Sequence, residues 1–227
     1  MSLAVVIGAG GGIGSAVLSR LEASGRFAQV IGLSRRHDGF DLEDEASIAR
    51  AAEAVAAAGA PELVFVATGV LHSGHAPERS LKALSAEHLL RDYRINAIGP
   101  ALVAKHFLPV MPRDRRAVFA ALSARVGSIG DNRLGGWHAY RASKAALNML
   151  LRNIAIETAR THPRAIVVGL HPGTVATDLS EPFQKGVPPE RLFTPDVSAA
   201  HLIKVLDGLE PRDSGGVFAW DSQRITE

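Results

Sequence analysis

A tyrosine and a lysine four residues apart, Tyr140 and Lys144, are the residues whose types and spacing best suit chemistry. They fall within Ala139–Thr161, which is rich in Ala, Leu and Arg and is predicted to form one long helix. Residues four apart on a helix share a face, so the phenol and the ammonium would be neighbours. A cation about 4–6 Å from a phenol favours the phenolate and lowers a pKa that is otherwise about 10. The pair suits a general acid and base for interconverting an alcohol and a carbonyl, although ordinary surface helices also carry this spacing.

Short apolar runs alternate with helical stretches along the chain, which is the pattern of βαβ units in a parallel sheet. Strands are predicted at Leu3–Ile7, Gln29–Leu33, Leu63–Ala67, Ala117–Leu122, Ala165–Leu170 and Val217–Trp220. Helices are predicted from the first glycines to about Ala23 and at Ala46–Ala58, Glu87–Val110, Ala139–Thr161 and Val197–Leu209. The expected fold is α/β, with a doubly wound, Rossmann-type parallel sheet flanked by helices. The length of 227 residues suits a single domain spanning 1–227.

The first predicted strand runs into a glycine-rich turn, Gly8-Ala9-Gly10-Gly11-Gly12-Ile13-Gly14. Glycine lets the backbone approach a pyrophosphate closely, and the phosphate charge then sits at the N-terminus of the next helix. The G-x-G-x-x-G spacing does not fit, because the sixth place counted from Gly8 is Ile13. The spacing present is G-x-x-x-G-x-G, carried by Gly8, Gly12 and Gly14. Its place at the first strand–helix junction favours a nucleotide over a turn that binds nothing.

The second predicted strand ends at Ser34-Arg35-Arg36, where such folds distinguish their nucleotides. An acidic residue here holds a ribose 2′-hydroxyl, whereas an arginine accommodates a 2′-phosphate. The guanidinium fork suits phosphate, so the sequence predicts NADP(H) in preference to NAD(H). Asp38 nearby leaves open the alternative that the two arginines are only solvated loop charges, and Asp41-Leu42 would place a carboxylate near the adenine amino group.

Composition excludes several other functions. Hydrophobic residues make up 47% and charged residues 21%, a globular balance, and the formal net charge is +2. There is no basic stripe with interleaved aromatics, so a nucleic-acid partner is not expected. The absence of cysteine rules out disulfides and thiol chemistry and fits a cytoplasmic location. No signal-peptide pattern and no apolar stretch of about 18–20 residues is present, so no membrane association is expected.

Three histidines that follow the third predicted strand, His72, His75 and His88, are the remaining candidates for metal ligands. They lack a regular ligand spacing, and neither carboxylates nor cysteines frame them. Solvated loop histidines are therefore expected, and no metal site is predicted.

Four motifs occur here in one order: the glycine triplet, Asn96 in Asn96-Ala97-Ile98-Gly99, Tyr140-x-x-x-Lys144, and Pro172-Gly173-Thr174-Val175-Ala176-Thr177. Over nearly its full length the chain resembles the short-chain dehydrogenase/reductase family. The stretch from Gly127 to Gly136 that leads into Tyr140 is similar to the C-factor and Sniffer-type carbonyl reductase branch.

The resemblance implies a role for each matching residue. Tyr140 would exchange the proton of the substrate oxygen, Lys144 would lower the phenol pKa and bind the nicotinamide ribose, and Asn96 would hold a water linking the lysine to solvent. The segment Pro172-Gly173 and Val175 would lie along the nicotinamide, with Thr177 reaching its carboxamide or the phosphates. Asn96 has an alternative explanation as a polar residue that caps or kinks a helix.

Two departures from the family pattern affect the cofactor side. The threonine that usually precedes the glycine triplet is Ile7 here. The usual Asn-Asn-Ala-Gly after the third strand is Val66-Ala67-Thr68-Gly69. Gly69 is kept and Thr68 is expected to replace part of the asparagine role, so both join the predicted cofactor-binding residues.

A third departure affects catalysis, because aligning the motif glycine on Gly127 puts Ala124 at the catalytic serine position. Ser123 precedes it, but adjacent strand residues face opposite sides, so Ser123 points away unless the strand end twists. Losing one oxyanion donor costs about 10²–10³ in rate. Either Ser123 or Ser128 substitutes, or Tyr140 suffices, or catalysis is weak; substitution is favoured, with Ser123 as the predicted catalytic residue.

The expected function is an NADP(H)-dependent oxidoreductase that transfers a hydride to or from a carbonyl or alcohol carbon of a small molecule. The loop at about 178–195 is expected to cover the substrate. Its predicted apolar lining is Leu179, Phe183, Leu192 and Phe193. The alternative is a nucleotide-binding regulatory or signalling protein with little turnover, which Ala124 and the likeness to C-factor keep open. The resemblance also implies a homo-oligomer, a dimer or tetramer.

Overall fold

The computed structural model describes residues 2–72 and 76–226, except the side chain of Phe183. Its strands are β1 (Leu3–Ile7), β2 (Gln29–Leu33), β3 (Pro61–Val66), β4 (Ala117–Leu122), β5 (Ala165–His171), β6 (Thr174–Val175), β7 (Leu192–Phe193) and β8 (Val217–Ala219). Six of them form one parallel sheet in the order β2-β1-β3-β4-β5-β8, and β6 pairs with β7 beside it. The predicted α/β, Rossmann-type doubly wound sheet is confirmed.

Helices connect these strands. They are α1 (Gly12–Ala23), α2 (Arg35–Asp38), α3 (Glu45–Ala58), α4 (Ala86–Tyr93), α5 (Gly99–Phe107), α6 (His138–Thr158) and α7 (Pro195–Gly208). Side chains of Asp44, Ser85 and Thr194 cap α3, α4 and α7 by accepting from N–H groups of the first turn. None of the helices in the described ranges is long and apolar enough to cross a membrane.

The core has two layers, one on each face of the sheet, and β1 shows why. Leu3, Val5 and Ile7 pack into a cluster with α3, α5 and α6. Ala4 and Val6 alternate with them and pack on the other face with α1 and α7. A strand covered on both faces needs apolar residues throughout, which is why β1 is a continuous apolar run.

Three elements differ from the sequence prediction. The single helix expected at Glu87–Val110 is divided, because a π-helical turn, Arg94–Ile98, separates α4 from α5. Strand β3 begins at Pro61, two residues before the predicted Leu63, and the first residue of a strand is a position where proline is tolerated. Helix α2 was not predicted, because four residues are too few to show a helical period.

The strand order creates a crevice at the carboxyl ends of β1 and β3. The chain leaves β1 for β2 on one side and reaches β3 on the other side of β1. Such a switch in direction leaves space above the two strand ends, and ligands of open α/β sheets bind there. The glycine-rich turn follows β1 and Thr68-Gly69 follows β3, so both lie at this crevice.

Candidate active site

Two cavities at this crevice join into one cleft. The first, here the tyrosine cavity, has a volume of about 420 Å³; it is lined by Gly11, Gly12, Ile13, Ala67, Thr68, Gly69, Leu122, Ser123, Tyr140, Lys144, Pro172, Ala176, Thr177, Asp178 and Leu179. The second, the arginine cavity, has a volume of about 440 Å³; it is lined by Gly8, Gly10, Gly11, Ser34, Arg35, Arg36, His37, Phe40, Asp41, Leu42, Glu43, Ala67, Thr68, Gly69, Val70 and Ile95. They share Gly11 and the segment Ala67–Gly69, so the cleft is continuous from Tyr140 to Arg35.

The glycine turn is the floor that both cavities share. Gly8 has a φ of +84°, a conformation that favours glycine. A Cβ on Gly14 would lie 2.1 Å from the carbonyl oxygen of Gly8, so Gly14 lets α1 pack against the turn. No side chain within the described residues caps α1, whose N-cap residue is Gly11. Its N-terminal N–H groups and their partial positive charge are available to a phosphate.

At the arginine end, Ser34 caps α2 through its hydroxyl, which accepts from the N–H of His37 at 3.3 Å. Asp38 is turned toward the same serine: its carboxylate accepts from the N–H of Ser34 at 2.9 Å and from its hydroxyl at 3.3 Å. Asp38 therefore folds back on the chain, while Arg35 and Arg36 line the cavity. Both arginines are exposed and form no ion pair with any residue that the structure describes.

Tyr140 and Lys144 lie on one face of α6, as predicted. Lys144 is only 2% exposed, and its Nζ donates to the carbonyl oxygen of Leu122 at 2.9 Å. The same Nζ lies 5.8 Å from the centre of the Tyr140 ring. Burial lowers the pKa of Lys144 to about 8, against the opposing influence of the Asp92 carboxylate.

The expected lowering of the Tyr140 pKa is not what the structure shows. Burial raises the pKa of the phenol above its ordinary value, and the Asp92 carboxylate raises it further. The ammonium of Lys144 is directed at the carbonyl oxygen of Leu122. Tyr140 is consequently protonated at neutral pH.

Asn96 lies in the π-helical turn and braces the segment after β3. Its Oδ1 accepts from the N–H of Val70 and its Nδ2 donates to the carbonyl of Val70, both at 2.9 Å. Nδ2 also donates to the hydroxyl of Ser143 at 3.0 Å. A Cβ on Gly69 would lie 3.3 Å from Asn96 Oδ1 and 3.6 Å from Lys144 Nζ, so the asparagine and the lysine are neighbours. The position in a π turn agrees with the kink explanation, and π turns are frequent at functional sites.

The two candidate serines have different surroundings. Ser123 lines the tyrosine cavity, and its hydroxyl donates to Oδ1 of Asn148 on α6 at 2.6 Å. Although β4 ends at Leu122, the N–H of Ser123 still donates to the carbonyl of Leu170 on β5 at 2.7 Å, so Ser123 continues the strand pairing and its hydroxyl is turned to α6. Ser128 instead donates to the carbonyl of Thr226 and accepts from the N–H of Asp131. Asn148, two turns after Tyr140 along α6, was not predicted.

The segment after β5 covers the tyrosine cavity. Gly173 has a φ of +79°, and a Cβ there would lie 2.7 Å from the Phe193 ring. Val175 is buried and pairs with Phe193 between β6 and β7. Thr177 packs on the glycine turn, since a Cβ on Gly12 would lie 2.8 Å from its Cγ2.

The loop at 178–195 contributes fewer apolar residues to the cavity than expected. Asp178 and Leu179 line it. Leu192 lies in β7, and Phe193 packs edge to face on Trp220 with ring centres 4.7 Å apart. The Phe193 ring therefore packs against Gly173 and is not part of the cavity lining. The predictions about His75 and the side chain of Phe183 fall outside the part of the chain that the structure describes.

Comparisons with known proteins agree with this geometry. A family model described as enoyl-(acyl carrier protein) reductase matches residues 12–207. The chain belongs to the short-chain dehydrogenase/reductase family. It is 31% identical to the 1-hydroxy-2-glutathionyl-2-methyl-3-butene dehydrogenase of Rhodococcus sp. strain AD45, over 95% of each chain. It is 37% identical to the C-signal protein of Myxococcus xanthus, over 60% of this chain and 77% of that one.

Among solved structures, the NADPH-bound carbonyl reductase from chicken fatty liver matches with a TM-score of 0.82. The two are 25% identical, and the match covers 100% of this chain and 94% of that one. The predicted family and its C-factor-like and carbonyl reductase relatives are confirmed. This short-chain dehydrogenase/reductase is an NAD(P)-dependent oxidoreductase.

The cleft of this oxidoreductase fits a nicotinamide dinucleotide. Glycine backbone and an uncapped helix N-terminus lie midway along it, where a pyrophosphate would be held. The hydroxyl of Thr68, on the wall that both cavities share, is buried and makes no hydrogen bond within the described residues. It is thus available to a bound group. No cluster of three or more potential metal ligands occurs in residues 2–72 and 76–226.

Sequence reasoning missed two buried carboxyl groups on the far side of Tyr140. Glu78 is 3% exposed and Asp92, on α4, is 1% exposed. Burial, followed by the nearby charge of Glu78, raises the pKa of Asp92 from 3.8 to about 6. Neither lies in a recognisable motif: the packing of α4 against α6 positions Asp92, and Glu78 reaches the first turn of α6 from the segment before α4.

Proposed function

We propose that this enzyme is an NADP(H)-dependent reductase of small carbonyl compounds in which Tyr140 is the proton donor. One observation carries the proposal: a single cleft has a tyrosine beside a buried lysine at one end and, at the other, two arginines that form no ion pair with the described residues. A dinucleotide laid across the glycine turn would extend from one end to the other. The NADPH-bound carbonyl reductase of similar structure supports the same assignment.

The preference for NADP(H) is supported by the arginine cavity. Arg35 and Arg36 are proposed to bind a 2′-phosphate, each through charge-assisted hydrogen bonds. Asp38, the carboxylate that would favour a 2′-hydroxyl, is occupied by Ser34. Asp41 and Leu42 line the same cavity and are assigned to the adenine side.

In the proposed reaction the nicotinamide, when bound, supplies the hydride to the carbonyl carbon. Tyr140 gives its phenolic proton to the carbonyl oxygen, so that hydride and proton together convert C=O to CH–OH. The raised phenol pKa keeps the proton in place at neutral pH, which is the form that reduction requires. Lys144 stabilises the phenolate left behind, and Asn96 holds the neighbouring backbone in place.

Ser123 is the proposed donor to the developing oxyanion. Ser123 lines the tyrosine cavity, and its hydroxyl donates to Asn148. Rotation about its C–O bond redirects the proton from Asn148 to a substrate oxygen. We assign the nicotinamide side of the cleft to Pro172, Gly173, Val175 and Thr177. Leu179 is assigned to the apolar part of the substrate.

A titration followed by an assay tests the proposal. Purified protein is titrated with NADPH and NADH by fluorescence and then supplied with a panel of ketones, aldehydes and quinones. We expect tighter binding of NADPH and oxidation of NADPH that depends on a carbonyl compound. Tight cofactor binding without turnover of any compound would favour the alternative of a regulatory protein. The similarity to the C-signal protein is the reason for testing that alternative.

We also propose that the enzyme is a homo-oligomer. Large apolar side chains are exposed on α4, the π turn and α6, namely Leu90, Tyr93, Ile98, Met149 and Ile156. Contiguous exposed apolar residues mark association surfaces. Light scattering on the purified protein should give a mass of a dimer or tetramer, and a monomer at micromolar concentration would contradict the proposal.

A further inference from the structure

The helix that carries Tyr140 begins without a cap from its own sequence. Helix α6 starts at His138, and its N-cap residue Trp137 has a φ of 51° and no side-chain hydrogen bond to the helix. The first N–H groups of a helix have no acceptor within the helix and require one elsewhere. Three other helices, α3, α4 and α7, use the local Asp44, Ser85 and Thr194 for this purpose.

Glu78 provides the missing acceptors from a distant part of the chain. Its carboxylate Oε2 accepts from the N–H of Ala139 at 3.2 Å. Its backbone carbonyl accepts from the N–H of Trp137 at 2.5 Å. A Cβ on Gly136 would lie 3.3 Å from the same carbonyl oxygen, so the chain entering α6 is in close contact with Glu78. Tyr140 is the next residue after Ala139.

The burial of Glu78 indicates more than a local cap. A buried carboxylate is costly unless it is hydrogen-bonded or paired. Glu78 is 3% exposed, and its second oxygen lies 3.7 Å from Nδ1 of His88. Serine, threonine or aspartate at the N-cap gives comparable capping at lower cost. The higher free-energy cost of burying a carboxylate thus occurs at the helix that bears the catalytic tyrosine and lysine.

We propose that Glu78 positions Tyr140 by capping α6 from outside the helix, so that the segment 76–80 determines where the phenol stands in the tyrosine cavity. The proposal rests on the function proposed for Tyr140. Tyr140 is the third residue of α6, so a displaced first turn displaces the phenol. A misplacement of about 1 Å in a reacting group costs about 10²-fold in rate.

The test compares Glu78→Ala with Glu78→Gln, which has nearly the same shape and keeps an oxygen acceptor without the charge. Glu87→Ala is the matched control, because it removes an exposed carboxylate at the start of α4. We expect Glu78→Ala to lower kcat by about 10²-fold. The Kd for NADPH should be unchanged, Glu78→Gln should recover most of the activity, and Glu87→Ala should behave as the unmodified enzyme.

A spectroscopic arm does not depend on turnover. The chain has two tyrosines, so Tyr93→Phe leaves Tyr140 as its single phenol. Burial raises the pKa of Tyr140, so a phenol displaced by Glu78→Ala should titrate closer to the ordinary value, as followed by phenolate absorbance. If the unmodified protein shows no turnover, the proposed function is contradicted. The phenol titration would still test whether Glu78 caps α6.

Three results would overturn the cap proposal: an unchanged kcat and phenol titration in Glu78→Ala, a Kd for NADPH that rises as much as kcat falls, or no recovery in Glu78→Gln. If Glu78→Ala does not fold, Glu78→Asp takes its place. That variant keeps the charge but is one methylene too short to reach Ala139. Lower kcat with retained NADPH affinity would support the proposal, and unchanged kcat would overturn it.

Discussion

The two ends of the cleft are constructed in opposite ways. The arginine end is formed by consecutive, exposed residues on the short helix α2. The tyrosine end is formed by half-buried Tyr140 and buried residues from β4, the π turn and α6, joined by hydrogen bonds through Leu122, Val70 and Asn148. Exposed side chains act nearly independently, whereas members of a buried network depend on one another. Substitutions at the arginine end should therefore change cofactor choice alone, and those at the tyrosine end should change catalysis through several partners.

The largest of three effects is expected for Ser123→Ala. Loss of one hydrogen-bond donor to a developing oxyanion lowers kcat by about 10²–10³-fold. Steady-state kinetics at saturating NADPH should show this loss with the NADPH affinity unchanged. Ser128→Ala, which removes a hydroxyl bonded to Thr226 instead, should retain kcat. Equal kcat for the two variants would mean that Tyr140 polarises the carbonyl without a serine.

A smaller and separable effect is expected at the other end for Arg35→Ala. A hydrogen bond to a charged group contributes about 1.5–3 kcal/mol, so the Kd for NADPH should rise about 10–100-fold. The Kd for NADH and the kcat at saturating NADPH should stay unchanged. Fluorescence titration of both cofactors measures the difference, and Lys82→Ala, which removes another exposed cation, is the control. Equal weakening of NADPH and NADH would contradict the 2′-phosphate assignment.

The third effect, at Asp92→Asn, is a change in stability and not in activity, and it tests how the buried network responds to charge. The pKa of Asp92 is about 6 in the folded protein and 3.8 ordinarily, so the folded state binds the proton more tightly. Its contribution to stability is therefore greatest below about pH 4, declines up to about pH 6, and remains lost above. The asparagine avoids this loss and should stabilise the protein at neutral pH by up to about 3 kcal/mol.

Urea unfolding near pH 4 and near pH 7 measures the stability change, which should be seen only at the higher pH. In a Tyr93→Phe background, Asp92→Asn should also lower the pKa of Tyr140, because the carboxylate raises it. If Asp92→Asn is instead less stable than the parent at neutral pH, the charged Asp92 carboxylate must have a partner that stabilises it in the folded protein.

The same contrast explains what the sequence could and could not predict. The strands and the glycine turn are visible because apolar runs and glycine spacing are local signals. Arg35 and Arg36 are visible because they follow β2 directly. The π turn at Asn96 and the orientation of Ser123 are not, since each depends on hydrogen bonds across the fold. Glu78 and Asp92 belong to no motif, and the packing of α4 and the segment 76–80 against α6 gives them their position.

Tyr140→Phe tests the central claim most directly, because it removes only the hydroxyl. The measurement is the rate of carbonyl-dependent NADPH oxidation beside the Kd for NADPH. A general acid contributes about 10²–10⁴-fold, so we expect a rate loss of that size with the NADPH affinity retained. A variant that still turns over at the rate of the unmodified enzyme would contradict Tyr140 as the proton donor.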